Sequence, residues 1–156
     1  MGNIFNGDFV DFLKQLNNHE VEYVLVGGYS VILHGYSRTT GDMDILVNKT
    51  AVNYKKLERA FYAFGMPVFD MTENNFLNNP EVNVFTFGRQ PVAIDIMTEI
   101  KGGSFKEIFD EAVDFELEEL HIRTININKL VQVKNRQDDT KTLMISRMLR
   151  NDYFLF

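Results

Sequence analysis

The chain has 156 residues, 45% of them hydrophobic, enough for one domain with a real core. Sixteen basic residues stand against 22 acidic ones, a net charge of −6, so the broad basic footprint of a nucleic-acid binder is missing. With no Cys and only three His (His19, His34, His121), disulfides, thiolate zinc sites, a cysteine nucleophile and a His-rich metal cluster are excluded together.

The first residues, MGNIFNGDFV, lack the basic region of a secretory signal. Gly2 invites a myristoylation reading, but Asn6 stands where Ser or Thr is needed. No apolar run approaches the ~20 residues of a membrane span. The expectation is a soluble, cytoplasmic protein with no membrane contact.

Phe9, Phe12, Leu13 and Leu16 fall on one helical face and predict a helix over 8–17. The β-branched run from Val21 to Val26 predicts a buried strand, ended by Gly27-Gly28. Tyr29 to His34 reads as a short helix closed by Gly35, and Met43 to Val47 as a second strand. Asn48 or Thr50 caps a helix whose inner face is Tyr54, Leu57, Phe61 and Phe64, stopped at Gly65-Met66-Pro67. The Asn-rich stretch 72–81 reads as a loop. Val82 to Phe87 and Val92 to Thr98 predict strands around a turn from Gly88 to Pro91. A helix is expected over 104–112, and one strand in the second half of 115–125. Further helices are expected over 128–136 and from Asp138 or Asp139, with Met144, Ile145, Met148 and Leu149 inward. This order predicts an α/β (α+β) fold, a mixed sheet flanked by helices, in a single domain over 1–156, with 128–156 as a small helical subdomain.

Chemistry concentrates between Val24 and Val47. A buried strand enters a Gly-Gly turn and a helix follows at once, which gathers backbone N–H groups suited to phosphate. Taken alone, a Gly-Gly turn is usually only a turn. Asp42 and Asp44 are one residue apart at the start of an apolar strand, so both face the same side. A solvated turn tolerates such a pair; a divalent cation with hard oxygen ligands, Mg²⁺ above all, makes it favourable. Asp95 lies inside Val-Ala-Ile-Asp-Ile-Met, where a carboxylate is costly unless partnered. If its strand lies beside that of the acidic pair, three carboxylates meet.

The stretch Gly27-Gly28-Tyr-Ser30-x3-His34-Gly35-x2-Arg38-x-Thr40-x-Asp42-x-Asp44, followed by Asp95, resembles the nucleotidyltransferase superfamily. Its nearest likeness is to the minimal bacterial branch that includes the AbiEii-type toxins of abortive-infection systems. The resemblance implies metal-dependent transfer of a nucleotidyl group from NTP to a hydroxyl acceptor. Asp42 and Asp44 would bind Mg²⁺ or Mn²⁺. Asp95 would help hold the catalytic metal and take the acceptor's proton. Gly27, Gly28 and Ser30 would hold the triphosphate, with Arg38, Lys134 and Lys141 as further nucleotide contacts. Arg136 falls in the same C-terminal region, and Thr142 follows Lys141 where the family pattern has Asp.

Blander roles are assigned elsewhere. His34 reads as a packing or capping group, Asp70 and Glu73 as surface charges, and the seven Met as core. The apolar end, Tyr153 to Phe156, either packs on the domain or meets another subunit. The acceptor is open among a small molecule, a protein and an RNA end, the acidic balance disfavouring a large RNA. Two alternatives stand beside the enzyme: a non-catalytic nucleotide-binding module, and one member of a toxin–antitoxin or phage-defence pair governed by a protein partner.

Overall fold

The computed structural model describes residues 7–37, 41–89 and 92–137. The elements run α1 (Gly7–Asn18), β1 (Tyr23–Val26), α2 (Gly27–Leu33), β2 (Asp42–Val47), α3 (Ala51–Phe64), α4 (Glu73–Asn78), β3 (Val84–Arg89), β4 (Val92–Met97), α5 (Phe105–Asp110), β5 (Val113–Leu117), β6 (Leu120–Thr124) and α6 (Ile127–Gln137). The six strands form one mixed sheet in the order β3-β4-β2-β1-β6-β5. The two central contacts that matter for function are antiparallel β1–β2 and parallel β2–β4.

Alternation of side chains divides the sheet into two faces. One carries Leu25, Ile45, Phe85, Phe87, Ile94 and Ile122, and α1 and α3 cover it in the larger core cluster. Phe12 and Phe61 meet edge to face at 5.3 Å, and Phe61 continues onto Phe87 at 4.7 Å. The opposite face carries Val24, Val26 and Leu46, packed with Val31 of α2, Ile108 of α5 and Leu130 of α6. This second cover leaves the β2–β4–β3 side of that face partly open: Asp42, Asp44 and Asp95 are half-buried and Thr86 is exposed.

Local chemistry sets the helix ends. The Thr50 hydroxyl accepts from the Asn53 amide at the start of α3, and Gly65 closes that helix at a left-handed φ of 90°. Ser104 caps α5 in the same way.

The structure corrects the sequence in three places. Residues 73–78 are helical, because Thr72 caps the turn and Phe76 plugs the core beside Tyr54, with ring centroids 5.1 Å apart. Its asparagines serve as stitches: Asn75 donates to the Asp70 carbonyl at 2.8 Å, and Asn78 to Asn74 at 3.2 Å. Residues 113–124 form a hairpin of two strands, turning at Glu118 with a φ of 58°. Gly88 and Arg89, expected in a turn over 88–91, continue β3 in register with β4 instead, and residues 90–91 lie outside the described residues. The helix expected from Asp138 or Asp139, and the apolar end, lie outside the described residues. Among the described residues, no helix is long and apolar enough to cross a membrane.

Candidate functional site

Three carboxylates share one face of two adjacent strands. Parallel pairing of β2 with β4 puts Asp44 opposite Asp95, and Asp42 opposite Ala93. Asp42 lies two residues before Asp44 and therefore on the same side. Met43 between them and Ile45 after them are fully buried on the other face, as are the neighbours of Asp95 to within 5% exposure. The core packing thus aims all three acids outward.

Antiparallel pairing places Val26 opposite Asp44, so the chain leaves β1 beside that carboxylate. There it turns at Gly27, whose φ is 72°. A Cβ at Gly27 would overlap Oδ2 of Asp44 and stand 3.0 Å from its Cγ. Only glycine satisfies both the left-handed backbone and this approach. Gly27 and Gly28 are both buried.

Ser30 is fully buried, and its hydroxyl donates to the Gly27 carbonyl at 2.5 Å. In this arrangement it locks the turn from inside. Oδ1 of Asp42 is buried. Tyr29 lies within reach of that charge: burial first, then Asp42, raises its phenol above the ordinary value.

On the far side of Asp95 stands Thr86 of β3, its register partner. Its hydroxyl donates to Oδ1 of Asp95 at 2.7 Å. Sequence reasoning passed over Thr86, although alternation with buried Phe85 and Phe87 assigns it to the acidic face. Lys129 on α6 was also passed over. Its ammonium lies 3.1 Å from Glu107 and holds that carboxyl below the usual range.

His34 ends α2, donates from Nε2 to the Ile125 carbonyl at 2.7 Å in the matching tautomer, and meets Phe115 edge to face at 5.1 Å. That is a packing role. Glu73 pairs with Lys55 at 3.2 Å. Lys134 belongs to α6, which packs on the acidic face of the sheet, but its side chain lies outside the described residues. Arg38 and Lys141 also lie outside them.

Among the described residues, no group of three His, Asp or Glu side chains is arranged as a ready cage for a metal ion. The donor set still fits one kind of cation. Mg²⁺ is commonly held by one or two carboxylates together with substrate phosphates, and hard carboxylate oxygens suit it. Asp42, Asp44 and Asp95 supply such oxygens on one face.

A model of the family described as "Nucleotidyl transferase of unknown function (DUF2204)" matches residues 6–151. No curated protein matches the chain. In fold it is similar to a crystal structure of a "putative nucleotidyltransferase" from Thermotoga maritima. The TM-score is 0.56 at 13% identity, over 90% of this chain and 89% of that one.

Proposed function

The chain belongs to this family of nucleotidyl transferases of unknown function, and from that premise we propose that it moves a nucleotidyl group from NTP to a hydroxyl acceptor and releases pyrophosphate. The observation that carries the reading is the register of Asp44 with Asp95, with Asp42 beside them on the same face. Asp42, Asp44 and Asp95 would hold Mg²⁺ or Mn²⁺. The cation supplies charge stabilisation for the attacking and leaving oxygens of an in-line displacement. Asp95 also accepts the proton of the acceptor hydroxyl. Gly27 brings the start of α2 against Asp44, and there Gly27 and Gly28 would hold the triphosphate; Ser30 supports that turn through the Gly27 carbonyl. Arg38, Lys134 and Lys141 are the cations assigned to the phosphates.

The net charge of −6 favours a small molecule or a protein as acceptor over a large RNA. A place in a toxin–antitoxin or phage-defence pair is a narrower form of this reading, and it rests on the resemblance of the Gly27–Asp44 stretch. Incubation with Mg²⁺ and each labelled NTP tests the proposal. Pyrophosphate release with label passed to an added hydroxyl compound or a protein is expected. Nucleotide binding without turnover under any of these conditions would instead favour the non-catalytic module.

A further inference from the structure

Asp95 lies between two unlike neighbours. Its strand is interior, paired with β2 on one side and β3 on the other, so its backbone is fixed from both. Only its side-chain rotation remains free. On the β2 side its register partner is Asp44, a second carboxylate on the same face. On the β3 side its partner is Thr86, whose hydroxyl donates to Oδ1 at 2.7 Å.

We propose that Thr86 is a positioning residue for Asp95: it anchors Oδ1 and leaves Oδ2 for the cation or the acceptor's proton. The proposal rests on the nucleotidyl-transfer reading of the same three carboxylates. Without the anchor, rotation about the side-chain bonds spreads the carboxylate over several orientations. With it, one oxygen is fixed at a known place on the sheet. A hydrogen-bond partner behind a metal-binding carboxylate acts in this way on metal affinity and rate.

A purely structural role is the competing explanation, and the surroundings weigh against it. Thr86 is exposed, and β3 is held in place by Phe85 and Phe87 on the opposite face, at 2% and 3% exposure. Thr86→Val keeps the β-branched shape and strand preference but cannot donate. Thr86→Ser keeps the donor and loses the methyl.

The test compares the full-length wild type with both variants. Mn²⁺ binding is followed by electron paramagnetic resonance, without nucleotide and with NTP. Turnover is resolved into kcat and KM, and melting temperature is recorded. Thr86→Val should lose roughly 10–100-fold in Mn²⁺ affinity or in kcat, with KM for NTP and melting temperature nearly unchanged. Thr86→Ser should recover most of the loss. Wild-type Mn²⁺ affinity and kcat in Thr86→Val would overturn the proposal. So would a Thr86→Ser variant as impaired as Thr86→Val, or a fall in melting temperature large enough to explain the loss. A wild type that binds Mn²⁺ neither alone nor with NTP would overturn the transfer reading itself, in the unsubstituted chain and before any variant is compared.

Discussion

Asp44 and Asp95 face each other across adjacent parallel strands, in direct register on the more open face of the sheet. Two carboxylates placed directly opposite are unfavourable when ionised, and they stand where β4 is otherwise apolar and β2 carries only Asp42 besides. Function explains the arrangement better than stability does.

Asp44→Asn is therefore expected to abolish metal-dependent nucleotide binding, because the amide lacks the ligand charge. Relief of repulsion keeps the stability of the unloaded chain unchanged or raises it by up to about 1 kcal/mol. Calorimetry with Mg²⁺ and NTP, and chemical denaturation without them, check the two halves. A clear loss of unloaded stability would mark Asp44 as structural.

Gly27→Ala should destabilise on two counts. The left-handed backbone at 72° costs about 1–2 kcal/mol for an L-residue, and the new Cβ would overlap the Asp44 carboxylate. Asp44→Ala in the same chain removes the second count only. Denaturation of the single and double variants should thus show partial rescue. Additive losses would show that the Gly27–Asp44 approach is not tight in solution.

Ser30→Ala removes the donor to a buried carbonyl and should cost about 1–3 kcal/mol. The substitution tests the lock on the turn by urea denaturation. A neutral result would return Ser30 to the role the sequence resemblance implies, at the triphosphate.

Tyr23 reports on the core. Burial, the largest cause, pushes its phenol from 10.0 to about 12; the hydroxyl donates to Asn17 at 2.9 Å. Below pH 10 the folded and unfolded chains both keep this proton and the contribution is whole. Above it the unfolded chain releases the proton first, so stability falls as pH rises toward about 12. The slope for one such group is about 1.4 kcal/mol per pH unit. Tyr23→Phe should flatten the alkaline limb of stability against pH, without levelling it, since burial also raises Tyr29 and Tyr54.

The acidic face was legible because period-two alternation and apolar neighbours are local. Asp42, Asp44 and Asp95 each announce their side of a strand that way. The adjacency of β2 and β4 was not legible: strand order is set by packing of distant segments, and β3 enters as an edge strand between α4 and β4 in the chain. Helix α4 was hidden by asparagines that read as loop residues, although Thr72 and Phe76 carry its cap and its anchor. The β5–β6 turn was hidden because Glu118, not Gly or Asn, takes the left-handed position. For Ser30 the resemblance implies a triphosphate contact; that its hydroxyl donates to the Gly27 carbonyl is visible only in three dimensions.

The most direct measurement is a crystal of the full chain grown with Mn²⁺ and a non-hydrolysable NTP analogue, examined by anomalous scattering. A manganese peak is expected within bonding distance of Asp44 and of Asp42 or Asp95, with nucleotide phosphate oxygens completing the shell. Manganese and nucleotide bound elsewhere, with these carboxylates untouched, would contradict it.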